Sequence, residues 1–261
     1  MTDLIAAWLD HLRTERSMAD NTVATYARTL RTLPTAPTAT REDVEAWWRS
    51  RSHLSPATRV NELAAVRAFY RWARVWEHRD DDPTLRITAP RVPKGLPRPI
   101  SRTDLRLLLD VLPDDLRRAV CLGAWAGLRV SEAASLEWAD VDTEARRIRV
   151  LGKGGKARMV GLSPILLDAL LPDTGRNVVT SSTETYSAAT LQRKVNRAIA
   201  GAGVDATFHQ LRHRYGTLAL AGTSNLLAVS RAMGHASPAT TAIYAATADA
   251  DLDVIADAVT R

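Results

Sequence analysis

The sequence predicts a mainly α-helical protein of two domains, with a small β-hairpin or sheet confined to the second. Three observations carry that prediction. Through roughly the first eighty positions, apolar residues recur at helical spacing behind Ser, Thr, Asp or Asn start signals, and no strand pattern interrupts them. A basic stretch rich in proline follows, where a long helix cannot form. Beyond it, alternation with a period of two appears on both sides of a glycine-rich turn within residues 138–162.

The bounds set by composition agree. A chain of 261 residues, 46% of them hydrophobic, suits roughly two packed domains. No apolar run approaches the ~20 residues of a membrane span. The N-terminus carries Asp3 and Asp10 rather than a basic lead into an apolar run, so no secretory signal is expected. Cys121 is the only cysteine, which excludes a disulfide within the chain and fits a reducing cytoplasm. A net charge of +6 and a pI near 9.9 meet the basic-protein criterion for nucleic-acid binding, a modest signal by itself.

Leu4–Leu12 and Thr22–Leu33 read as the first two helices, with Asp20 or Asn21 as the start signal of the second. Thr40 to Asp43 has nearly the form of a capping box and opens a third. Ser55-Pro56 opens a fourth, from Ala57 to Trp76, because Ser is a favoured cap and Pro a favoured first residue. Four short helices make a small bundle. In the fourth, Leu63, Val66, Phe69, Tyr70 and Ala73 form the apolar face, while Arg59, Asn61 and Arg67 lie off it. Arg and Asn suit guanine and adenine edges, although a solvated polar face explains them equally well. Trp8, Trp47, Trp48, Trp72 and Trp76 read as core rather than base-stacking platforms, since helical spacing accounts for most of them.

Asp80 through Pro99 forms an extended linker in which Lys94 and Arg98 alternate with prolines. Ser101 to Asp104 then starts the second domain, with helices near 102–112 and 114–126 and another from Glu132. Gly127 ends an apolar helix and Ser131 can cap the next, which leaves Arg129 at a helix junction, where backbone N–H groups attract anions. Glu132, one turn on, could hold the Arg129 guanidinium or could merely suit the helix dipole. Arg147–Leu151 and Ala157–Leu162 flank the turn Gly152-Lys153-Gly154-Gly155-Lys156. A nucleotide-binding loop would need Ser or Thr after the lysine and a following helix, but Ala157 and a strand follow Lys156. Ser163-Pro164 opens a helix to Leu171, residues 172–189 read as loop, and Leu191–Ala200 as the helix before His209.

The chemistry gathers near the C-terminus. His209 and Arg212, three apart, share one helical face; His235 follows Gly234, and Tyr244 lies in a short pattern opened by Ser237-Pro238. A planar cation, imidazoles and a phenol form a kit for handling a phosphodiester through a tyrosine nucleophile. Phosphoryl transfer spreads negative charge over non-bridging oxygens, and a guanidinium meets two of them at once. His209 and His213 also have the spacing of two zinc ligands, with His235 as a third. Against that, Gln210 stands where a zincin has its Glu, and a metal would leave Arg129, Arg212 and Tyr244 without roles. No metal or other cofactor is expected.

Arg129, Lys153, His209-x-x-Arg212, Gly234-His235 and Tyr244, in this order and separation, resemble the tyrosine recombinase (phage integrase) family. The likeness implies a helical, SAM-like core-binding domain over residues 1–84, a basic strap over 85–100 and a catalytic domain over 101–261 that ends in an exchange helix. It implies that Tyr244 attacks a DNA phosphate to give a 3′-phosphotyrosine. Arg129 and Arg212 stabilise the charge, with Glu132 in support, His209 serves as general base and His235 donates to the phosphate. Lys153 is the general acid, with Lys156 as fallback. It implies DNA contacts from Arg59, Asn61, Arg67, Lys94 and Arg98, and His213 as a structural or phosphate-side residue. The implied partners are double-stranded DNA bearing inverted core repeats, a tetramer of the chain on that DNA, and a directionality factor or host accessory protein. The absence of a separate arm-binding module fits a small phage integrase or a Xer-like dimer resolvase. Ala245-Ala246, where many relatives have Thr-His, favours the phage enzyme. A type IB-like topoisomerase, or a DNA-binding protein without activity, are the alternatives of another class.

Overall fold

The computed structural model describes residues 4–33, 35–92, 97–152, 155–171, 175–180, 185–235 and 241. It divides into two compact units, Met1–Lys94 and Gly95–Arg261.

The first unit is built from α1 (Leu4–Thr14), α2 (Asp20–Leu30), α3 (Arg41–Ser50) and α4 (Pro56–Val75). Two starts follow from capping chemistry. The Thr40 hydroxyl accepts from the Asp43 N–H at 3.2 Å while the Thr40 N–H donates to Asp43 Oδ2 at 2.9 Å, a reciprocal pair that satisfies two otherwise orphaned donors. Ser55 accepts from Thr58 N–H ahead of Pro56. The second helix departs from expectation at both ends. It begins at Asp20 after Ala19, with no side-chain cap, and stops at Leu30, where Thr32 and Leu33 turn back in single i→i+3 hydrogen bonds. Trp8, Val23, Leu30, Val44, Leu63, Val66, Phe69 and Tyr70 form the core. Trp8 stacks on Tyr26 and meets Phe69 edge-on. Of the tryptophans expected in this core, Trp8, Trp47 and Trp72 are buried, but Trp76 is 49% exposed.

The second unit carries α5 (Arg102–Val111), α6 (Asp114–Ala126), α7 (Val130–Ser135), β1 (Val141–Asp142), β2 (Arg147–Leu151) and β3 (Ala157–Gly161). These are followed by α8 (Pro164–Leu170), α9 (Ala188–Gly201), α10 (Phe208–Thr223) and α11 (Leu226–Met233). The expected hairpin is β2–β3, antiparallel, with Ile148 opposite Val160 and Val150 opposite Arg158. The two-residue β1 adds a third strand on the far side of β2.

Helix α10 packs along α6, and two glycines, Gly123 within α6 and Gly127 just past its end, bring them close. A Cβ on Gly123 would lie 3.1 Å from Leu211 Cβ and from Phe208 Cζ. One on Gly127 would run into the Tyr215 ring. Gly127 also has φ +65°, the left-handed turn that ends α6 and for which glycine carries no steric cost. No helix among the described residues is long and apolar enough to cross a membrane.

Candidate active site

The junction after α6 sets the first cation. Arg129 itself occupies the N-cap position of α7, and Glu132 its third helical position; Ser131 lies inside the helix rather than capping it. The Arg129 N–H donates to Glu132 Oε2 at 2.8 Å, and its guanidinium donates to Oε1 at 2.9 Å. Of the two readings of Glu132, the structure therefore favours the one in which it holds Arg129. The guanidinium also donates to the Gly234 carbonyl at 2.9 Å, which ties the start of α7 to the end of α11.

Helix α10 supplies the second cation. It opens at Thr207, whose N–H and hydroxyl both donate to Gln210 Oε1 at 2.6 Å, so the residue that stands where a zincin would need its base is used as a cap. One turn in, Arg212 is 2% exposed. It donates to the Gly127 and Met233 carbonyls and stands 4.0 Å from Glu132 Oε2. The two expected arginines are thus brought to one place but differ in access: the Arg129 side chain is 41% exposed and that of Arg212 3%.

A third arginine completes the centre. Arg158 on β3 meets both oxygens of Glu132 at 2.8 Å through its two terminal nitrogens and donates from Nε to the Ala232 carbonyl at 2.8 Å. Sequence reasoning missed it, although a signal was present. Arg158 lies two residues from buried Val160 and opposite buried Val150, so it occupies the inward face of the strand, where an apolar residue is the norm. Burial alone pushes the Glu132 carboxyl upward. The hydrogen bonds from Arg158 and from the Arg129 N–H outweigh it and hold Glu132 below the usual carboxylate value.

The imidazoles surround this cluster. His209 is held below its ordinary value by burial and by the charges of Arg212 and Arg129, so it is neutral at pH 7 and can accept a proton. Edge to face against it, with ring centroids 4.2 Å apart, lies His213, pushed down to about 4 by burial, His209 and Arg212. His235 is likewise pushed down to about 4 by burial and then by Arg212, Arg129 and Arg158. Its Nδ1 is 2.7 Å from the hydroxyl of buried Thr241, which leaves Nε2 as its other ring nitrogen for a ligand. Among the described residues, no group of three or more His, Cys, Asp or Glu side chains is placed to hold a metal ion.

Tyr244, Lys153 and Lys94 lie outside the described residues. Lys156 is exposed beside the turn, where the Gly152 N–H donates to its carbonyl at 2.9 Å. Arg98 is 78% exposed and only 3.7 Å from Asp205, too open a pair to fix it. In the first unit Asn61 is exposed and Arg59 lies 4.1 Å over the Trp48 ring. Arg67 has an internal task, because it donates to the Ile87 carbonyl and pins the segment after α4.

The phage integrase family model matches residues 101–251, and the model of the N-terminal SAM-like domain of phage integrases matches residues 5–77. The chain is 30% identical over 268 residues to tyrosine recombinase XerC of Shewanella amazonensis, spanning 92% of this chain and 90% of the relative. It is 27% identical over 273 residues to tyrosine recombinase XerD of Vibrio cholerae, spanning 92% and 90%. A lambda integrase dimer bound to a COC′ core site superposes with a TM-score of 0.76 over 94% of this chain and 76% of that one. At 18% identity, that last likeness speaks for the fold. The chain belongs to the phage integrase family and is a tyrosine site-specific recombinase, an enzyme that cleaves and rejoins DNA.

Proposed function

We propose that Tyr244 is the nucleophile and that Arg129, Arg212, His209, His235 and Lys153 serve it at one DNA phosphate. The observation that carries this reading is the convergence of Arg129, Arg212 and His235 around the last turn of α11, with neutral His209 beside them. The phenol oxygen bonds to phosphorus as the bond from phosphorus to the 5′ oxygen breaks. His209 takes the phenol proton, and Lys153, or Lys156 as its fallback, gives one to the departing 5′ oxygen. A free phenol titrates near about 10, so the cations must favour the charged transition state for the attack to proceed at neutral pH. The 5′ hydroxyl of a partner strand reverses the step. The protein–DNA ester conserves the bond energy, so the scheme requires neither ATP nor a metal.

In this reading the helical bundle contacts the duplex through the side of α4 that carries Arg59 and Asn61, Lys94 and Arg98 belong to a strap, and the chain assembles as a tetramer across two sites. The biological task we infer is dimer resolution of the Xer type, supported by XerC and XerD relatives aligned along nine-tenths of their length. Ala245-Ala246 after the tyrosine supports the second reading, phage integration.

The test uses nicked duplexes carrying candidate core sites and a denaturing gel. The wild-type chain should leave a covalent protein–DNA adduct. Tyr244→Phe should bind the same duplex and leave none, and an adduct that persists in Tyr244→Phe would overturn the assignment. Recombination of two identical sites on one plasmid, rather than of two unlike attachment sites, separates resolution from integration.

A further inference from the structure

Three consecutive carbonyls end α11, and each accepts from a different arginine: Ala232 from Arg158, Met233 from Arg212 and Gly234 from Arg129. The same three side chains surround one carboxylate, that of Glu132. A helix C-terminus carries a partial negative charge, so both anchors attract guanidinium groups. The anchors are not shared equally. Arg158 takes both Glu132 oxygens in the fork geometry that only a planar guanidinium can make, and its side chain is 11% exposed. Arg129 reaches one of those oxygens and keeps 41% of its side chain open to solvent. Gly234, at φ +64°, lets this packing close: a Cβ there would stand 3.0 Å from Arg158 Nη1.

We propose that Arg158 is a positioning residue of the recombinase: it takes both oxygens of the Glu132 carboxylate, so that Arg129, held to one of them, keeps the open part of its side chain for the DNA phosphate, and it fixes the end of α11 that leads into His235. The inference rests on the site reading above and adds a residue to it. Without Arg158 the buried carboxylate must draw more of its compensation from Arg129 and Arg212, pulling both further toward it and away from the substrate. Arg158 thereby couples β3, which descends from the lysine-bearing turn, to the cation that touches the phosphate.

The experiment is a double-mutant cycle on the full chain, with adduct formation on nicked duplexes measured at saturating DNA alongside DNA affinity. Arg158→Met should slow cleavage by about 100-fold, the scale of an ångström misplacement of a reacting group, with affinity unchanged. Arg158→Lys keeps the charge but not the fork and should recover cleavage only in part. In a Glu132→Gln background there is no carboxylate to satisfy, so Arg158→Met should cost less than about 5-fold, because coupled residues are not additive. An equal loss in both backgrounds overturns the proposal. So does a log–log salt slope reduced by about 0.9, since Arg158 would then be neutralising a phosphate itself. If Arg158→Met does not fold, as judged by circular dichroism, Arg158→Lys is read in both backgrounds by the same criterion. Absence of an adduct from the wild-type chain would count against the site reading as a whole, whereas a reactive wild type with unaffected Arg158 variants would sink this inference alone.

Discussion

Among the described residues, the buried polar side chains of the first unit are the neutral Thr29 and Thr84, whereas the second unit buries Arg118, Glu132 and Arg212. In the bundle, cations are held at the edge of the apolar core: Arg59 over Trp48, Arg79 over Tyr70, Arg67 on a carbonyl. In the second unit they lie within the fold: Arg118 donates to the Val178 carbonyl, and Arg212 stands with Arg129 and Arg158 around Glu132. The difference teaches where the molecule tolerates an energetic cost for function. Around Glu132, three guanidinium groups are brought together where two of their side chains are nearly closed to solvent.

The comparison can be broken by substitutions on its two sides. The largest effect is expected from Glu132→Ala, which leaves buried guanidinium groups without their carboxylate. It should lower unfolding stability by about 3–5 kcal/mol in a urea titration and suppress adduct formation. A loss below about 1 kcal/mol, ordinary for exposed ion pairs, would mean that the cluster is not a structural charge centre. Gly127→Ala should cost about 1–3 kcal/mol, because any side chain there combines a strained backbone with the Tyr215 ring; chemical denaturation measures it.

The next prediction concerns pH. His213 and His235 are held near about 4 in the fold against an ordinary 6.5. Below 6.5 the unfolded chain takes up protons that the folded one refuses. Stability should therefore be intact above that value and fall as pH drops toward 4, and His213→Gln should flatten the fall in urea midpoints measured across this window. The smallest effect belongs to the bundle. Arg59→Ala removes a cation–π contact at its surface and should cost only about 0.5–1 kcal/mol, while weakening DNA binding if this face meets the duplex.

Much of this architecture was legible because it rests on local chemistry. Thr40, Ser55, Ser101 and Ser163 announce helix starts whose hydrogen bonds close within three residues. The glycine-rich turn announces the β2–β3 hairpin. Arg129, His209 and Arg212 were singled out from their order along the chain, and the fold brings them together from the start of α7 and from α10. What was not legible depends on distance. Helix α11 escaped notice although Asn225 caps it and Gly234 ends it, because its short apolar stretch has little pattern to distinguish it from a linker. Arg158 escaped because its partners lie 26 and 74 residues away, and only an arginine on the inward face of a strand hints that a buried acid awaits it. Nothing within α2 signals its end at Leu30, which is set by a turn of the chain after it.

Gly123 within α6 and Gly127, the residue that ends it, each receive side chains of α10, Leu211 with Phe208 at the first and Tyr215 at the second. Two notches filled by fixed knobs act as an index. They set how far α10 can slide and how it is rolled about its axis, and so the direction in which His209 and Arg212 point. The aim of His209 and Arg212 is therefore decided at a seam that has no chemistry of its own, and a single methyl group added there would misdirect them without touching either one.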